Sequence, residues 1–197
     1  MTTRSVEQSI DSQIGMEVRP RGFELLQDAG LVVGASMFMA LCAHISVPLG
    51  FSPVPVTLQT FGVLLIGLTL GSRRALAAMM LYLIEGASGM PVFSPSGFGG
   101  VAQLLGPTGG FLFAYPAAAY VAGSFARNRS KFTSVLSATI LAEFVIFFSG
   151  ALWFSLLTGM APARVLALAV LPFIPGEVLK VAAATGIAAV WNRKLRA

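Results

Sequence analysis

The chain is 197 residues long, 56% hydrophobic and 11% charged, with a mean hydropathy of +0.82 and a formal net charge of +5. Soluble domains carry roughly 25% charged residues, so this composition excludes an ordinary soluble catalytic domain and places the chain in lipid. The basic excess lies in short loops between apolar runs, which reads as a topology signal rather than a nucleic-acid surface, and the single cysteine, Cys42, excludes a disulfide framework or a cysteine-built metal site.

Residues 1–28 hold three Arg and five acidic residues with no apolar core, which predicts a cytosolic N-terminal tail. Within and just past it, RGFELLQDAG (21–30) is expected to form a short surface helix ahead of the first span. A crossing helix takes about 20 mostly apolar residues. That length predicts spans at 29–49, 54–71, 73–89, 109–127, 133–159 and 174–192, an all-α membrane domain of six transmembrane helices over 29–197. GSRR (71–74) makes the second and third spans a tight hairpin. Residues 90–108 and 160–173 are rich in Pro and Gly yet apolar, so ordered loops folded over the bundle are expected, with VLALAVLPF (165–173) a short surface helix.

Positive charge near a span is retained in the cytoplasm. Arg19 and Arg21 precede the first span, Arg73 and Arg74 lie between the second and third, Arg127, Arg129 and Lys131 between the fourth and fifth, and Arg193, Lys194 and Arg196 follow the sixth. The opposite loops hold Arg164 alone, so both termini are expected on the cytoplasmic side of a multi-pass cell-membrane protein. Trp191 and Trp153 fit the two interfacial aromatic belts.

In that orientation the sixth span opens at the outer face with LPFIPGEVLK (171–180). Pro175 suits a first helical turn and Glu177 suits the positive end of the helix dipole, a pure capping role. Lys180 lies three residues on, on the same face and about one turn deeper. There an unpaired ammonium costs around 3 kcal/mol on insertion scales, so the pair is read as functional. Gln59, Tyr82, Glu85, Gln103 and Tyr115 fall at the same depth and could converge with it. Glu143, near mid-membrane in the fifth span, is assigned a structural role. Acceptors and donors beside a cation, with Phe61, Phe93 and Phe98 as apolar walls, call for a small organic acid with a polar head.

Two strings invite other readings. GFGGVAQLLGPTGG (97–110) is glycine-rich but lacks the Lys-Ser/Thr ending of a phosphate loop; its glycines read as bends and close packing in a lid. GASG (86–89) matches the pattern of intramembrane serine proteases, an alternative that needs Ser88 as nucleophile and His44 as base. In the first span Gly30 and Gly34, then Ser36 and Ala40, are small residues four apart, serving either packing within the bundle or docking to another protein.

PVPVTLQTF (53–61), SGMPVF (88–93), LLGPTGG (104–110) and LPFIPGEVLK (171–180), in this order from about residue 30 onward, together resemble the BioY family. These are the biotin-specific substrate-binding components of energy-coupling factor transporters. The resemblance implies a six-helix transport subunit rather than an enzyme, with no cofactor. It implies a biotin pocket near the outer face, lidded by the loops between spans 1 and 2 and spans 3 and 4. The implied partners are a transmembrane coupling subunit and two cytosolic ATPases, the former docking on small residues of span 1, here Ser36 and Ala40 where the family commonly has two alanines. Lys180 would pair with the valerate carboxylate or position Glu177, and Glu177, standing where the family often has aspartate, would accept from a ureido N–H. Gln59 and Gln103 would complete the polar set beside Tyr82 and Tyr115.

Overall fold

The computed structural model describes residues 21–125 and 132–194. The chain divides into a small unit, Met1–Gly30, and the main unit, Leu31–Ala197. Most of the expected cytosolic tail, together with Arg19, Arg127, Arg129, Lys131 and Arg196, lies outside the described residues. RGFELLQDAG is not a helix of its own: it forms the first turns of α1 (Arg21–His44), because nothing in the string breaks the helical run into the apolar segment.

The largest departure from expectation follows α1. Residues 45–57, assigned above to the ends of two spans and the loop at 50–53 between them, instead form a two-stranded antiparallel hairpin, β1 (Ser46–Leu49) and β2 (Ser52–Thr57). The register pairs Ser46 with Thr57, Val47 with Val56 and Leu49 with Ser52, with an irregularity between Val47 and Leu49. Pro48 sits at that irregularity and Pro53 and Pro55 lie in β2. Proline cannot donate to a ladder and resists the helix interior, which explains both the strand conformation and the limit to two strands. Apolar residues alternating with Ser and Pro have a period of two, and a count of hydrophobic residues alone does not detect it.

The remaining helices are α2 (Gln59–Leu70), α3 (Ser72–Ala87), α4 (Gly100–Leu105), α5 (Gly109–Phe125), α6 (Phe132–Thr158), α7 (Pro162–Ala169) and α8 (Ile174–Lys194). A helix thus overlaps each expected span. Among the described residues three helical segments, Gly22–His44, Phe132–Thr158 and Ile174–Trp191, are long and apolar enough to cross a membrane. At about 1.5 Å per residue α2 rises only about 18 Å, less than the roughly 30 Å of a bilayer core. Leu41, Phe144, Phe148, Leu156 and Leu179 point outward from their helices. An exterior this apolar suits lipid rather than water, and the chain is a membrane protein.

Within the main unit α5 is the hub, packing against α2, α3 and α6, while α8 packs against α2 and α6. Close approach is made possible by small residues: Ala114, Ala118, Ala119 and Ala122 of α5 are all buried. A Cβ on Gly67 would fall 2.7 Å from the Ala119 carbonyl oxygen, and one on Gly110 would fall 2.2 Å from Trp153 Cβ. Trp153 is half-buried in this contact. Its indole Nε1–H donates to the Gly106 carbonyl at 2.9 Å and ties the α4–α5 turn to α6. The surface helix expected at 165–173 is shifted to Pro162–Ala169, started by Pro162 at its first position. It buries Val165 and Ala169, and Ser52 of the hairpin donates to its Leu168 carbonyl at 2.7 Å.

Because the α2–α5 contact is backbone against backbone, Gly67→Ala should lower stability by about 1–3 kcal/mol. Gly34→Ala, whose Cβ meets nothing within 4 Å, should be neutral or slightly stabilising through helix propensity. Melting temperatures of the two variants in detergent check this; equal melting points would show that α2 and α5 are not in close contact.

Candidate functional site

The site is built at the start of α8. Pro175 occupies the second position of the helix, where a missing N–H leaves no ladder bond unmade, and Glu177 follows in the first turn. One turn deeper, Lys180 Nζ donates to Glu177 Oε1 at 2.6 Å. Thr60, in the first turn of α2, closes the group: its hydroxyl donates to Glu177 Oε2 at 2.7 Å and accepts from Lys180 Nζ at 3.2 Å. Both charged side chains are largely buried, at 8% exposure for Glu177 and 11% for Lys180. A buried ion pair is tolerable only when further hydrogen bonds satisfy its remaining atoms. An ammonium has three donors; Glu177 and Thr60 take two, leaving one for whatever fills the adjoining space.

That space is a chamber of about 40 Å³. The hairpin contributes Val54, Pro55 and Thr57, α2 Gln59 and Thr60, α5 Phe111, Leu112 and Tyr115, α6 Phe147, and the turn before α8 Phe173. Ser94, Gln103 and Thr108 complete the wall. A second space of about 250 Å³, between the hairpin and the 96–108 segment, shares Pro55, Gln103 and Thr108 with the first. The chamber holds little more than water at this size, so admitting an organic ligand requires the shared side chains to part and join the two.

Five of the six expected site residues, Gln59, Gln103, Tyr115, Glu177 and Lys180, line this chamber. Tyr82 stands behind it. It is fully buried, receives a hydrogen bond from Gln59 Nε2 at 2.8 Å and meets Phe93 edge to face at 5.3 Å. Since Thr57 donates to the Gln59 carbonyl oxygen at 3.1 Å, the amide is oriented from both ends. Gln103 is fixed by Gly99, whose N–H donates to its Oε1 at 3.1 Å. Gly97 passes so close to this amide that a Cβ would lie 2.6 Å from it, and Gly99 and Gly100 take φ of 70° and 57° to turn the chain into α4. The glycines of GFGG thus serve close approach and a left-handed turn.

The aromatic walls differ from expectation. Phe111, Phe147 and Phe173 face the chamber, whereas Phe93 packs on Tyr82, Phe61 is half-buried outside the lining, and Phe98 is 87% exposed at the rim of the second space. Sequence reasoning also missed Thr60. Its only signal was adjacency to Gln59 at a helix start, where threonine ordinarily reads as a cap.

Ser36 is fully buried and its hydroxyl donates to Glu85 Oε2, so it faces into the bundle instead of presenting a docking surface; Ala40 is half-buried against the core. A serine hydroxyl in an apolar helix seeks a polar partner, and the carboxylate of α3 supplies it. Ser88 and His44 are each engaged locally. Ser88 donates to the Glu85 carbonyl at 2.7 Å and His44 Nδ1 contacts the Ala40 carbonyl at 2.8 Å, with no hydrogen bond joining them among the described residues. Among the described residues no cluster of three or more His, Cys, Asp or Glu could hold a metal ion.

Comparison with known proteins agrees with this architecture. The sequence model of the BioY family matches residues 11–197. The chain is 41% identical over 157 residues to a probable biotin transporter BioY of Pyrococcus horikoshii, covering 78% of this chain and 90% of that protein. It is 37% identical over 167 residues to the biotin transporter BioY of Rhodobacter capsulatus, covering 79% and 86%. Its fold is similar to the crystal structure of the S-component for biotin from an ECF-type ABC transporter, with a TM-score of 0.80 and 24% identity over 89% of this chain and 95% of that one.

Removing one member of the buried pair leaves the other charge without its partner. Lys180→Ala should therefore destabilise the ligand-free protein by about 3–5 kcal/mol, and the double variant Lys180→Met, Glu177→Gln should recover most of that loss. Thermal unfolding of the two variants checks it; equal losses would mean that the charges are hydrated, not paired.

Proposed function

The chain belongs to the BioY family, and from that premise we propose that it captures biotin at the outer face of the cell membrane as the substrate-binding subunit of an energy-coupling factor transporter. The observation that carries this reading is a buried ammonium with a spare donor at the wall of an otherwise apolar chamber. Biotin presents a carboxylate on an aliphatic chain and a compact ureido ring. Lys180 meets the carboxylate or holds Glu177 in place to accept a ureido N–H; Gln59, Gln103 and Tyr115 supply further polar contacts, with Tyr82 setting the Gln59 amide. Phe111, Phe147 and Phe173 enclose the apolar middle. Biotin is the transported ligand and not a cofactor, and the matched relatives are named as transporters, which favours no enzymatic role for Ser88 and His44.

Residues 29–197 form the six-span biotin-binding domain and 1–28 a cytosolic tail, with both termini in the cytoplasm. The clustering of Arg and Lys beside alternate helix ends supports this orientation. The hairpin and the 90–108 segment then lie outside, over the chamber. No ATPase signature occurs in the sequence, so uptake against a gradient draws on a coupling subunit and two cytosolic ATPases. With Ser36 turned inward, the outward face of α1 around Gly34, Met37 and Leu41 is the surface left for the coupling subunit.

Biotin has about 16 non-hydrogen atoms, so nanomolar affinity asks for roughly −0.8 kcal/mol per atom, within reach of a preorganised, nearly closed site. At about 1,000-fold excess over Kd, biotin should stabilise the purified protein by about 4 kcal/mol. That shift should vanish in Lys180→Ala and shrink with the primary amide of biotin, which lacks the carboxylate. A wild-type protein whose melting point ignores biotin would overturn the reading.

A further inference from the structure

Glu143 lies midway along α6, 8% exposed, and both its carboxylate oxygens are buried without a hydrogen-bond partner among the described residues. It does not line the chamber but stands behind it, within electrostatic reach of Glu177 and Lys180 on α8 and of Tyr115 on α5. The other elements packed here bring no further charge. Thr60 and Gln59 come from α2, which has no titratable side chain, and α6 has none besides Glu143. Tyr82 and Cys42 face Tyr115, while Arg164 on α7 is exposed.

The charge count around Lys180 is decisive. One ammonium faces two carboxylates, and a carboxylate ligand would bring a third. With all three ionised the filled chamber and the residue behind it would hold two uncompensated negative charges away from water, one of them on a carboxylate with no hydrogen-bond partner among the described residues, an arrangement that burial opposes strongly. A proton on Glu143 leaves one ammonium between two carboxylates, Glu177 and the ligand's.

We propose that Glu143 is a positioning residue that works as a neutral acid: in the ligand-filled chamber its carboxyl carries a proton, which reserves Lys180 for Glu177 and the carboxylate of the ligand. The step is a single proton transfer. An O–H bond forms on Glu143, water or a buffer acid gives up the proton, and no bond of the ligand changes. The inference rests on the biotin reading above, and its test separates the two.

The experiment is biotin titration calorimetry on the detergent-purified full chain, wild type against Glu143→Gln, from about pH 6 to about pH 10, in buffers of different ionisation enthalpy. Glutamine keeps the shape and fixes the neutral state. Near neutral pH the two proteins should bind biotin within about threefold of each other. On the alkaline side the wild type should lose affinity by up to about tenfold per pH unit and take up as much as about one proton per biotin, while Glu143→Gln takes up none. The primary amide of biotin, which brings no second negative charge, should show no such fall in the wild type. Parallel pH profiles for the two proteins, a tenfold loss in Glu143→Gln at neutral pH, or the same alkaline fall for biotin and its amide would each overturn the assignment while leaving biotin capture intact. Failure of both proteins to bind biotin near neutral pH would instead remove the premise.

Discussion

The interaction on which the site depends is the three-membered group of Lys180, Glu177 and Thr60. Two opposite charges taken out of water cost several kcal/mol each before they attract one another. Here the cost is offset by a 2.6 Å contact and by one hydroxyl that serves both partners, donating to the carboxylate and accepting from the ammonium. Since Thr60 is on α2 and the ion pair on α8, the group also fixes the register of those two helices. A slide of either by one residue would move the hydroxyl out of reach and leave the ion pair without its shared partner.

The rest of the fold holds that geometry. Pro175 starts α8 so that Glu177 falls in its first turn, and the hairpin delivers the chain to Gln59 and Thr60 at the start of α2. Around them α5 approaches α2 at Gly67 and α6 at Gly110 closely enough that a Cβ at either glycine would clash, and the Phe111 ring of α5 packs on Gly150 of α6. In lipid such packing replaces the hydrophobic effect as the source of helix association. A short α2 is a consequence of the same arrangement: residues 46–57, kept out of the flanking helices by their prolines, form the hairpin, and Val54, Pro55 and Thr57 of its second strand wall the chamber.

Much of this was legible in the sequence because it rests on local chemistry. An i,i+3 Glu-Lys pair after Pro-Gly, in a chain with so few charges, stands out whatever the tertiary structure; Gln59 and Tyr115 were placed at its depth by counting along spans, and Gln103 by its place in the loop between the third and fourth. What failed was whatever depends on period or on a partner elsewhere in the chain. Residues 45–57 are apolar enough to pass for helix, and only their alternation and three prolines say otherwise. Phe98 and Phe111 are indistinguishable by composition; one stands at the rim and the other inside. Ser36 read as part of a docking stripe because nothing near it in sequence announces Glu85, 49 positions away.

The contrast between floor and roof bears on how the chamber opens. Its floor is made of helices in backbone contact, whose separation would cost packing along their whole length. Its roof is fastened by hydroxyls: Ser94 donates to Ser46 at 2.8 Å, and Ser46 also pairs with Ser96 at 2.8 Å, joining the hairpin to the segment before α4. Neutral hydrogen bonds of this kind contribute about 1 kcal/mol each, and water can replace them. The second space lies under this fastening and is separated from the first by Gln103, Pro55 and Thr108. The wall between the two spaces is thus made of side chains on the hairpin and on the 90–108 segment, whereas the Lys180 group is anchored on the packed helices α2 and α8.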